Sequence, residues 1–142
     1  MTKVLREKFK FLEHTADIKF KAFGNSIKEV FENSALALFR VLYDKKVEEK
    51  KAYKIKAKGS DLESLLYNFL EEFLILFDSK NFLPYQIKSL DLNEKKFKIH
   101  AVVVGDELSN YNASVHVKAI TYNGMFVKKQ KNNWVSQVLV DV

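Results

Sequence analysis

Polar and apolar residues alternate over Lys8-Phe9-Lys10-Phe11-Leu12 and again over Ile18-Lys19-Phe20-Lys21-Ala22-Phe23, the period of strands that bury one face. Gly24-Asn25 marks a turn, after which the period lengthens. Ser26 with Glu29 three residues on predicts a capping box. The helix it opens has Ile27, Val30, Phe31, Ser34, Leu38, Val41 and Leu42 on its inward face, near helical spacing. Asp44-Lys45-Lys46 ends it. Ala52 to Ala57 alternates as another strand. A second capping box is expected at Ser60 and Glu63, with Asp61 between them where a negative charge suits the helix dipole. That helix runs to about Asp78 and is apolar over most of its circumference, so it is expected at the centre of the core.

Pro84 breaks the pattern, and strand signals dominate after it: Ile87 to Leu92, Lys96 to Val104, Ser114 to Tyr122, Met125 to Lys129 and Trp134 to Val140. Asn93-Glu94 predicts a tight turn, Lys131-Asn132-Asn133 closes the last hairpin, and Asn123-Gly124 is a strong hairpin signal because a type I′ turn needs positive φ at both central residues. Two helices among seven or eight strands, mostly hairpin-linked, predict an α+β class: a two-layer sandwich with an antiparallel-rich mixed sheet and both helices on one face.

Length and composition narrow the function. A chain of 142 residues, 47% hydrophobic, is expected to form one domain over residues 1–142. It has no cysteine, which removes disulfides, thiolate zinc sites and thiol catalysis. The N-terminus lacks a secretory apolar region, and no apolar run approaches membrane-spanning length, so a cytoplasmic protein without membrane attachment is expected. The formal net charge is +6, carried almost wholly by lysine, with Arg6 and Arg40 the only arginines. Arginine is the usual tool for bidentate reading of phosphate or guanine. RNA contact is therefore expected to be indirect or weak. Abundant Lys and Glu with few Gly and Pro hint at a heat-adapted source.

The candidate chemistry lies at the two ends. Phe11-Leu12-Glu13-His14-Thr15-Ala16-Asp17-Ile18 sets three polar groups among strand-like residues. A regular strand would put His14 and Asp17 on opposite faces unless Thr15-Ala16 turns sharply. The segment reads either as a metal or proton-transfer site or as a solvated loop, the commoner fate of connecting segments. Val138-Leu139-Val140-Asp141-Val142 ends an apolar strand in a side-chain carboxylate beside the terminal carboxylate. Such a pair suits a hard cation, Ca²⁺ or Mg²⁺ rather than Zn²⁺, and competes with a frayed terminus. His116, alternating with Val115 and Val117, reads as a surface-facing strand histidine, with Lys118 and Tyr122 on its face. There is no Gly-rich phosphate loop, nucleophile elbow or paired His–carboxylate helix motif.

Four stretches resemble the archease family in order and spacing: Phe11 to Ile18, Phe31 to Phe39, Asp61 to Phe77, and Val117-Lys118-Ala119-Ile120-Thr121-Tyr122 followed by Trp134 and Asp141-Val142. The resemblance implies a non-catalytic partner of the GTP-dependent RNA ligase that seals tRNA halves, promoting its guanylylation and multiple turnover. It further implies a divalent cation, calcium by family habit, held by Asp17, Asp141 and the terminal carboxylate of Val142. His14, Lys118 and Tyr122 are the partner-surface candidates. The family often has histidine after its Thr-Tyr pair, where this chain has Asn123. Two other functions stay open: a general chaperone or modulator of RNA-modifying enzymes, and a metal-dependent hydrolase using His14 with Asp17 and Asp141, which would need an open metal position and a nearby base.

Overall fold

The computed structural model describes residues 7–12, 17–113 and 117–142. Seven strands and two helices follow in the order β1 (Phe9–Leu12), β2 (Asp17–Gly24), α1 (Ile27–Leu42), β3 (Lys51–Lys58), α2 (Leu62–Lys80), β4 (Phe82–Asn93), β5 (Lys98–Glu107), β6 (Ala119–Gln130) and β7 (Asn133–Asp141). The strands divide into a four-stranded sheet, β1-β2-β7-β6, and a three-stranded sheet, β3-β5-β4. Every pairing is antiparallel. The expected α+β class holds, and α1 packs on β2, β7 and β4 while α2 packs on β6, β3 and β4.

One apolar cluster joins these parts. The inward face predicted for α1 is buried throughout, and Leu65, Leu66, Phe69, Leu70 and Phe73 of α2 are fully buried against it. Phe39, Phe69 and Phe73 meet edge to face, with Phe73 centroids 4.8 Å from Phe39 and 4.9 Å from Phe69. The only polar link through this core that is wholly side-chain among the described residues is Ser34 to Ser136, 2.7 Å apart, which joins α1 to β7.

Three local expectations need correction. The second cap is Asp61, not Ser60: its carboxylate accepts the Ser64 N–H at 2.8 Å and the Ser64 hydroxyl takes the Asp61 N–H at 3.1 Å. Asp61 accepts better than the neighbouring serine because a carboxylate is a charged acceptor at the positive end of the helix. Glu63 is thereby released to accept the Val127 N–H at 3.1 Å, tying α2 to β6. Pro84, expected to break the pattern ahead of a strand from Ile87, does not delay that strand, which begins at Phe82. It lies inside β4, an edge strand, beside a register shift opposite Gly105, where a missing N–H leaves no ladder bond unmade. A Cβ on Gly105 would stand 2.0 Å from the Leu83 carbonyl oxygen, so this crossing admits only glycine.

Asn123-Gly124 does not turn a hairpin either. β6 runs through it and pairs with β7 on both sides, the register jumping between Thr121↔Leu139 and Phe126↔Gln137. Gly124 at φ 71 forms a bulge, closed by Gln137 Nε2 donating to the Gly124 carbonyl at 2.8 Å and by Asn123 N–H donating to Thr121 Oγ1 at 2.8 Å. The reversal between β6 and β7 is the one expected at Lys131-Asn132-Asn133, seven residues beyond Gly124 and closed by Gln130↔Asn133. Local turn chemistry was satisfied by a bulge because β7 is long enough to pair with both halves.

Candidate functional site

The strands that carry the chain ends are neighbours. β2 pairs with β7 so that Asp17 lies directly opposite Asp141, Ile18 opposite Val140 and Phe20 opposite Val138. On its other side Asp141 lies opposite Ala119 of β6. Phe20, Val138 and Val140 are fully buried in the core, so by strand alternation Asp17 and Asp141 leave the face turned away from it. Directly opposed residues share a face with Cβ atoms about 5 Å apart. Both aspartates are half-buried.

The end of the chain is held in this place. β7 is paired on both sides up to Asp141, the Lys118 N–H donates to the Asp141 carbonyl at 2.8 Å, and the Val142 side chain packs on the core. A terminus with these attachments is not the frayed end that its position in the sequence allows. Its carboxylate follows Asp141 by one residue. Like charges directly opposed across a sheet repel, and Lys19, two residues along β2 on the same face, is the cation nearest to the pair in sequence. Hard oxygen donors that converge from two strands fit a hard divalent cation. Among the described residues no three His, Asp or Glu side chains gather. The register brings together two side-chain carboxylates, Asp17 and Asp141.

The other predicted residues divide. Lys118 is exposed and meets the site through its backbone. Tyr122 is half exposed and lies at the β6 bulge, its ring stacked on Tyr67 of α2 with centroids 4.2 Å apart and planes within 6°. It therefore stands on the helix side of the sheet, opposite the face of Asp17 and Asp141. Its hydroxyl is held above the ordinary tyrosine range by partial burial, then by Tyr67 and by the charges of Asp61 and Glu71. His14, with Glu13, Thr15, Ala16 and the turn expected there, lies outside the described residues, as does His116. Tyr67 escaped the sequence reading. It falls off the apolar spacing of α2, and only the bulge brings a partner ring over it.

The archease protein family model matches residues 9–142. Protein archease of Methanosarcina acetivorans is 40% identical over 141 residues, covering 96% of this chain and 97% of that protein. That of Pyrococcus abyssi is 38% identical over 142 residues, with 96% and 99% covered, and that of Danio rerio 32% identical with 97% and 87% covered. Among solved structures, Methanobacterium thermoautotrophicum protein 1598 matches with a TM-score of 0.74 at 30% identity, over 95% of this chain and 99% of that one. A Thermotoga maritima archease, described as a possible chaperone, shares the fold with a TM-score of 0.64 at 19% identity over 99% and 100% of the two chains.

Proposed function

The chain belongs to the archease family, and on that footing we propose that it is a non-catalytic activator of a GTP-dependent tRNA-splicing RNA ligase, working through a divalent-cation site where the paired strands β2 and β7 end. The observation that carries this reading is the register that opposes Asp17 to Asp141, one residue from the chain terminus. Asp17, Asp141 and the Val142 carboxylate would hold the ion, a hard cation suited to oxygen donors and Ca²⁺ by the family resemblance. A bound cation supplies positive charge that offsets the opposed carboxylates and gives the anionic strand ends something to offer a partner.

The residues themselves do the rest. The β7 ladder and the Lys118 N–H fix where Asp141 stands, so these strand ends reach a partner already shaped. An accessory protein changes its ligase only by binding one state better than another. The acidic strand ends favour the nucleotide-loaded state.

The test is multiple-turnover ligation by the cognate ligase with this protein at substoichiometric amounts. Stimulation is expected, and it should fall at least tenfold with Asp17→Ala or Asp141→Ala. Equal stimulation by both variants and the wild type would refute the site. No stimulation by the wild type would refute the ligase partnership.

A further inference from the structure

The solvent face of the three-stranded sheet has a charge distribution that the acidic strand ends do not explain. Ile55, Ile99 and Ala101 are buried against the helices, so their neighbours in β3 and β5 face outward. Lys54, Lys56 and Lys58 leave β3, Lys98 leaves β5, and Lys95 and Lys96 occupy the β4–β5 turn; all six are exposed. Lys58 lies directly opposite Lys98, and Lys56 directly opposite His100. Asp91, opposite His100 on β4, and Glu94, exposed in the same turn as Lys95 and Lys96, are the acids among them. Among the described residues, ion pairs involve Lys50 with Glu48 and Lys51 with Glu107, and none of these six lysines.

Opposed like charges weaken a sheet. Lysines on β3 can be explained as protection of an edge strand against unwanted pairing, since β3 is an edge. That explanation fails for Lys98, which sits on the central strand β5. The turn is also fixed in shape: Asn93 Oδ1 accepts the N–H groups of Lys95 and Lys96 at 3.1 Å each, and the Gly59 N–H donates to Phe97 O at 3.0 Å. The exposed large apolar residues among those described, Phe11, Ile75 and Tyr122, belong to β1, α2 and β6. The lysine face thus lacks the aromatic anchor that protein interfaces depend on, whereas a phosphate backbone requires charge alone.

We propose that the outward face of β3 and β5, with the β4–β5 turn, binds the phosphate backbone of RNA without reading its bases. That the polyanion is RNA rests on the ligase reading; the cationic face itself does not. Lysine as a point charge suits such contact, and the scarcity of arginine excludes only bidentate base reading.

The test titrates a fluorescent hairpin RNA with this protein alone, by anisotropy at several KCl concentrations. No ligase is present, so the result is independent of ligase stimulation. The combined variant Lys56→Ser, Lys58→Ser, Lys98→Ser is compared with a charge-matched control, Lys28→Ser, Lys128→Ser, Lys129→Ser, whose sites are exposed elsewhere. The face variant is expected to lose roughly tenfold in affinity and to flatten the salt slope by about 2, at about 0.7 per lost contact; the control should keep most of both. Equal loss in the two variants would reduce the effect to net charge and overturn the proposal. So would an absence of saturable RNA binding by the wild type. Unchanged RNA affinity in the face variant would overturn it as well. Far-ultraviolet circular dichroism on both variants verifies that the fold is kept.

Discussion

Each sheet carries one cluster of like charges on its outward side, acidic at Asp17 and Asp141 and basic around Lys58 and Lys98, and the two clusters come about differently. In the four-stranded sheet, anions from the two ends of the chain are made neighbours by β2–β7 pairing. In the three-stranded sheet, cations close together in sequence are spread over a surface by ordinary strand alternation. The first arrangement exists only in the folded state. The second is half-present in the unfolded chain, where Lys54, Lys56 and Lys58 are already spaced by two. Strain from like charges is accepted on both faces, at Asp17–Asp141 and at Lys58–Lys98, in a protein whose remaining core is conventionally apolar.

The change that breaks both faces at once is in the core they share. Phe73 is fully buried between Phe39 and Phe69. Phe73→Ala is expected to cost about 3–5 kcal/mol, a large part of the 5–15 kcal/mol typical of a domain. Urea unfolding measures it. RNA binding and ligase stimulation should decline together as the temperature rises. Loss of one with the other intact would mean that the two sheets do not depend on a common core.

A smaller change separates the faces. If the acidic strand ends bind calcium, the ion at a hundred times its dissociation constant stabilises the chain by about 2.7 kcal/mol, read as a rise in melting temperature against chelator. Asp141→Asn should abolish most of that rise. In chelator the variant should melt at or slightly above the wild type, because relieving opposed like charges is worth about 0.2–1 kcal/mol. Its RNA affinity should not change. A calcium-induced rise equal to that of the wild type would remove Asp141 from the donor set.

How much of this could be read in the sequence follows the same division. The inward face of α1 and the existence of both helices came from periodicity, because a helix shows its buried face in its own spacing. The family resemblance, carried by four stretches of the chain, pointed to Asp17, Asp141 and Val142, yet the opposition of Asp17 to Asp141 is a fact of register, which no single segment contains. Asn123-Gly124 misled for a physical reason. Positive φ at glycine serves a bulge as well as a turn, and the choice was made by the length of β7, out of sight of the dipeptide. Tyr67 and the Lys58–Lys98 opposition were equally invisible, since both depend on which strand or helix comes to lie alongside.

The smallest effect tests the joint between the sheets. Asp61 caps α2, the helix whose Glu63 accepts the Val127 N–H of β6 and whose Asn68 Nδ2 donates to the Lys58 carbonyl of β3. Backbone and then side-chain hydrogen bonds from Ser64 hold the Asp61 carboxyl below its ordinary value of 3.8. A carboxylate whose pKa is depressed by folding stabilises the fold above its unfolded pKa and loses that contribution as pH falls through the folded value. Asp61→Ala should therefore cost about 1 kcal/mol at neutral pH, and the gap to the wild type should narrow as the pH is taken below about 4. Chemical unfolding at a series of pH values reads both. A gap that stays constant into strong acid would show that the cap acts through packing and not through its charge, and α2 would then join the sheets by its apolar face alone.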